Sequence, residues 1–363
     1  MNLLVDRFSR FVSKFNGCKV KLLKHLNMRF FSAFLLVAFL FACNSQHKAP
    51  DVSDVKISVT TQRFEEDMFK LDTNNLAPQL DQLQARYPSF GENFFASILN
   101  CDPRWSADTM AGYVKGFIGA YRKMYDTSEI LFRNFEPYEK EIRKGLQYLK
   151  HYFPAYKTPA KIITYIGPVD GYGDILTDDA IVVGLQHHLG KQYSLYHTPM
   201  VQETYPDYIS RRFEPGYIAV NAMKNIVLDM FPEKMEERPL VQQMVEKGKR
   251  LYVLSQLLPG TDEYKMIGYT KEQLESAYKN EKVVWDLFVQ NNFLQTIDNN
   301  IIKNYIGEGP KTQELGESSP GNIGSFAGWQ IVKKYMNKHP NTTLQQLMAT
   351  DAESVFTDAR YKP

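Results

Sequence analysis

The chain has 363 residues, 44% of them hydrophobic, with 43 Lys and Arg against 41 Asp and Glu and a formal net charge of +2. That length allows one large domain, or two smaller ones, with a sizeable core. The charge balance, without a dense basic stripe interleaved by aromatics, excludes a nucleic-acid footprint, and only three cysteines exclude a disulfide-built scaffold.

The first element in chain order is an apolar run at residues 30–41 (FFSAFLLVAFLF). It is too short to span a bilayer but suits the hydrophobic region of a secretory signal. The basic stretch ahead of it, with Arg7, Arg10, Lys14, Lys19, Lys21 and Lys24, is long for such a signal. Met28 offers a second start. Leu40-Phe41-Ala42-Cys43 follows at once and reads as a lipobox. The Cys43 thiol is the nucleophile that takes up a diacylglyceryl group, and small Ala42 lets the signal peptidase reach the bond before it. Residues 1–42 are thus expected to leave as a signal peptide. About two or three acyl chains, palmitate among them, hold a protein stably at a bilayer where one would not. Because the leader is basic, the remaining body is close to neutral or slightly acidic.

Residues 43–56 are read as the acylated N-terminus and a polar tether, and 57–363 as a single large domain. The alternating, β-branched residues 57–60 predict a short first strand. About a hundred mainly helical residues follow. Tyr113, Val114, Phe117, Tyr121 and Met124 mark one helix face, with Ser106 or Asp108 as its N-cap. Tyr138, Ile142, Leu146 and Leu149 mark a second, closed by Pro154. Residues 161–166 and 180–185 have strand composition, separated by a turn-rich segment. Helices are expected over 217–231, 240–258, 271–279, 281–296 and 323–337. The Gly-, Pro- and Ser-rich stretch 307–321 is a loop whose length marks it as mobile or functional. Helices, a small sheet in the middle, then helices again give an α+β fold, mostly helical. Cys101, left without a partner, is expected to be a structural thiol.

Two clusters raise the question of metal. His187, His188 and His197 form the only histidine group, with Glu203 and Asp207 as the nearest candidate carboxylates. Adjacent histidines point in different directions, and the more economical reading is a core or surface role. Asp170, Asp174, Asp178 and Asp179 are oxygen-rich but lack the spacing of a calcium loop, so turn formation is the expected role. No nucleophile elbow, phosphate loop or dinucleotide fingerprint occurs.

Several blocks together resemble the gliding motility lipoprotein family GldB of the Bacteroidota. They are the lipobox at Cys43, VVGLQHHLGK from Val182, KGKRLY from Lys247, IGYTKEQL from Ile267, NEKVVW from Asn280 and SPGNIGSFAGWQIV from Ser319. The resemblance implies an envelope lipoprotein that is a non-catalytic accessory component of the gliding machinery, linked in that phylum to type IX secretion. It implies no reaction and no cofactor. A second likeness is to the layout of gluzincin-type zinc peptidases, in which two His one turn apart, a Glu on the next helix and a general base act on zinc-bound water. In the corresponding register this chain has Asn221 and Asn225 for the histidines, Ala222 for the base and Glu246 for the third ligand. An amide is a poor zinc ligand and Ala moves no proton, which implies an inactive relative. Two rival functions stand beside this reading. One is a membrane-anchored zinc metallohydrolase or peptidase using another His/Glu set. The other is a glycan-binding lipoprotein that uses the 13% aromatic content.

Partners are then the bilayer, through Cys43, and other envelope proteins. Asn44, not Asp, follows the cysteine, so the inner-membrane retention signal is missing, and no acidic cluster that would favour surface export follows. The expected place is the outer membrane, with the domain facing the periplasm.

Overall fold

The computed structural model describes residues 49–233 and 237–363. The signal segment, Cys43 and residues 44–48 of the expected tether lie outside the described residues; residues 51–56, expected as tether, instead join the folded unit, where Val52 is fully buried and the Val55 carbonyl accepts from Gln147 at 2.9 Å. Asp51–Pro363 forms one compact unit, and its fold is α+β and mostly helical, with one small mixed sheet.

The first strand, β1 (Thr60–Arg63), begins where residues 57–60 end, because its ladder partner sets the register: Thr60 pairs with Lys161. The next segment turns at once into α1 (Phe64–Phe69), which buries Glu65 beside the sheet. Thr164 donates to that carboxylate at 2.6 Å, and Arg63 also bonds to it. Burial outweighs these partners and pushes the Glu65 carboxyl up. The helix α2 (Leu76–Arg86) follows, and then a cluster of phenylalanines in which Phe64 meets Phe90 and Phe94 at ring distances of 5.0 and 4.7 Å. The long α3 (Ala107–Leu131) starts at Ser106, whose hydroxyl accepts from the Thr109 N–H, the expected cap. Val114, Phe117 and Met124 face inward, as their spacing predicts, whereas Tyr113, expected on the same face, is exposed. Helix α4 (Glu136–Tyr152) ends just before Pro154.

Strands β2 (Lys161–Tyr165) and β4 (Ala180–Gly184) are parallel neighbours, Ile162 opposite Ile181 and Ile163 opposite Val182. The two-residue β3 (Ile175–Leu176) lies antiparallel on the far side of β4, so the order is β1-β2-β4-β3. Both central strands are nearly continuous apolar runs because helices cover both faces of a parallel sheet. Composition does not separate this arrangement from a hairpin, because the deciding contacts are remote in sequence.

Helix α5 (Ile218–Met230) packs on the sheet and on α4, and α6 (Leu240–Leu257) runs behind it. After α7 (Glu263–Ile267), α8 (Lys271–Lys279) is opened by a capping box between Thr270 and Gln273. Helix α9 (Glu281–Gln290) is shorter than the expected 281–296 because Asn292 takes a left-handed φ of 55°. The helices α10 (Asn299–Ile306), α11 (Ile323–Lys338), α12 (Leu344–Ala349) and α13 (Ala352–Ala359) complete the chain. The closest helix pairing is α6 on α11, where Gly248 and Gly328 let the backbones meet. A Cβ on Gly328 would sit 1.8 Å from the Met244 carbonyl oxygen. Below this crossing, Val241, Val245, Ile331, Val332, Leu347 and Val355 are buried together. Each such large apolar side chain contributes on the order of 2 kcal/mol.

Candidate functional site

After β4 comes a 3₁₀ turn, Leu185–His187, which ends on His187 and is capped by His188, and the two rings part company there. His187 Nε2 lies 2.8 Å from the Val169 carbonyl, and its ring stacks on Phe213 with centroids 4.2 Å apart. Burial holds its pKa down at about 4, so the ring is neutral and donates to Val169. His188 is fully buried, with Nδ1 3.1 Å from the Glu214 carbonyl and Nε2 2.9 Å from the Asp174 carboxylate. Two acceptors on one imidazole call for both protons. Burial pulls the His188 pKa down, but Asp174 and the two hydrogen bonds prevail and raise it.

Asp174 is the hub of this cluster. Besides His188, its carboxylate accepts from Asn221 Nδ2 at 2.8 Å and from the Gly184 N–H at 3.0 Å. Burial pushes its carboxyl up, yet the His188 charge and these hydrogen bonds hold it below the usual carboxylate range. Asn225, one turn beyond Asn221 on α5, donates to the Asp174 carbonyl at 2.9 Å. Helical spacing by four residues is what brings both amides to one loop. The result is a half-buried clamp joining the β3–β4 edge to α5.

Asn221 and Asn225, the residues standing at the zinc-ligand positions of the peptidase likeness, therefore both bond to Asp174. Ala222 is buried beside them. Glu246 accepts from Lys249 Nζ at 2.8 Å and lines a separate cleft with Phe231, Arg238 and Met348. His197 turns to the Lys191 carbonyl at 3.0 Å, with Nδ1 3.8 Å from Asp207. Glu203, Asp170 and Asp178 are exposed, and Asp179 binds Lys161 at 2.9 Å. Among the described residues, no group of three or more His, Cys, Asp and Glu could hold a metal ion. Cys101 is buried and free, and burial pushes its thiol up.

The sequence missed a cleft of about 340 Å³ between α5 and α6, closed by α7, the end of α10 and the start of α11. Val227, Leu228, Leu251, Leu254, Ile267 and Ile306 make it largely apolar. Lys224, Lys247, Arg250, Glu233 and Glu308 add charge, and Asn322 and Ser325 close one end. Asn322 has a left-handed φ of 56°, and its carbonyl accepts from Tyr269 at 3.1 Å. Two signals for this cleft were present in the sequence: a lysine within the apolar helix 217–231, and the long loop 307–321, whose first residues form part of the wall.

Among the described residues, no helix is long and apolar enough to cross a membrane. A family model described as gliding motility protein GldB matches residues 45–363. No curated protein matches, and no solved structure matches.

Proposed function

The chain belongs to the gliding motility protein GldB family, and from that membership we propose that it serves the gliding machinery as a non-catalytic accessory component, anchored in the outer membrane through acylated Cys43 with its domain in the periplasm. The observation that carries this reading is the extent of the match, which begins just past Cys43 and runs to residue 363. The lipobox supports the anchor, and Asn44 in place of an aspartate supports the outer membrane. The hydrogen bonds of Asn221 and Asn225 to Asp174 support a structural role for the residues at the peptidase-like positions. In that arrangement they hold α5 to the sheet and are not free to turn towards a water or a metal. The work of the domain is then contact with neighbouring envelope proteins.

Replacement of the chromosomal gene by a Cys43→Ala version tests the anchor. The expected outcome is loss of spreading together with movement of the protein out of the membrane fraction. Normal spreading with the protein wholly soluble would contradict the reading.

A further inference from the structure

The cleft between α5 and α6 holds one cation, Lys224, that has no bonding partner among the described residues. Lys224 lines its wall, and among the described residues it has neither a carboxylate partner nor a hydrogen bond. The other charges there are already engaged. Arg212 bonds to Glu308 at 3.2 Å, Lys247 bonds to Glu233 at 3.0 Å, and Arg250 donates to the carbonyls of Phe231, Pro232 and Glu246. Both carboxylates of the cleft thus have a cation each, and Lys224 is left over. It is exposed to solvent at the mouth, where a ligand can reach it.

The rest of the cleft is hydrocarbon. Leu228 lies one turn beyond Lys224 on α5, and Leu251 and Leu254 face it from α6. The volume of about 340 Å³ falls at the lower end of small-molecule sites, which run to roughly 300–1,000 Å³. A single ammonium with its hydrogen-bonding capacity unused, beside an apolar floor, fits one negative charge on an apolar stem. A multiply charged phosphate would leave most of this floor uncovered. We propose that the cleft binds a small carboxylate carrying a short alkyl chain, the carboxylate on Lys224 Nζ and the chain along Leu228, Leu251 and Leu254.

The test uses the full chain in lipid nanodiscs, with labelled octanoate as the probe and labelled octanol as its uncharged counterpart. Uptake by the lipid is common to every sample, so differences between proteins report the cleft. Wild type is expected to hold octanoate about tenfold more tightly than Lys224→Gln, the worth of one charge-assisted contact. Octanol is expected to bind both alike, which also shows the floor intact in the variant. Leu251→Gln is expected to weaken both probes. Equal octanoate affinity in wild type and Lys224→Gln would overturn the proposal. So would a lack of saturable octanoate binding by wild type above empty discs.

Discussion

His187 and His188 are adjacent in sequence and opposite in chemistry. The first is buried among Phe213, Tyr205 and a carbonyl, and is held neutral; the second faces Asp174 and a carbonyl, and is held charged. A group with a raised folded-state pKa stabilises below its unfolded value and loses that effect as pH rises through the folded one. The His188 contribution is therefore complete below its ordinary value of 6.5 and declines above it. Asp174 and His187 have lowered values and act in the reverse sense. Stability from Asp174 is present above 3.8 and is lost on acidification below it, and stability from His187 fades from 6.5 down towards about 4. Chemical denaturation across pH should show an alkaline decline that starts above the ordinary histidine value. His188→Phe should remove that decline and cost about 3–5 kcal/mol at neutral pH, because it strands a buried carboxylate. A double change with Asp174→Asn should cost less than the sum of the single changes. An unchanged alkaline limb in His188→Phe would show that this pair does not govern it. The sequence offered His188 and Asp174 to two different metal hypotheses and Asn221 and Asn225 to a third. That they form one cluster was not legible, because the contacts join positions 174, 188 and 221, and no local pattern reports pairing at that range.

At the scale of elements, the glycines of α6 and α11 show why the late GSFAGW segment reads as it does. Gly328 faces the Met244 carbonyl and Gly324 faces the Tyr305 carbonyl. These positions need the missing Cβ so that helices can approach; no ligand is required to explain them. Gly328→Ala should lower stability by about 3 kcal/mol or more, since backbone must move to admit the methyl group. Gly112 on α3 is the control, because an added Cβ there meets nothing within 4 Å. Gly112→Ala should raise stability by about 0.5–1 kcal/mol. Thermal unfolding of the two variants checks the contrast, and equal effects would contradict the close helix approach. Helices with a long apolar stripe and a capping residue or a terminal proline were legible from the sequence: α5, α6 and α11 begin and end within a few residues of their expected bounds, α3 starts at its expected cap Ser106, and α4 closes before Pro154 as expected. Short helices such as α10, α12 and α13 were not, because eight residues or fewer carry about two turns and too little period to read. The register of β1 and the parallel pairing of β2 with β4 were set by remote partners and were likewise beyond local pattern.

At the scale of the molecule, the balance of 43 basic and 41 acidic residues gives no long-range field towards a charged polymer. The helical body and its small sheet make one compact unit from Asp51 to the end. In the proposed role, a lipid-held Cys43 keeps that unit at the bilayer, where confinement raises its effective concentration beside membrane neighbours. The most direct measurement is crosslinking in intact gliding cells, followed by purification of the chain and identification of everything joined to it. The result expected is a set of covalent adducts with other envelope proteins of the gliding machinery, recovered with the outer membrane. Recovery of the chain without such adducts, and with near-stoichiometric zinc, would contradict a protein that works by contact.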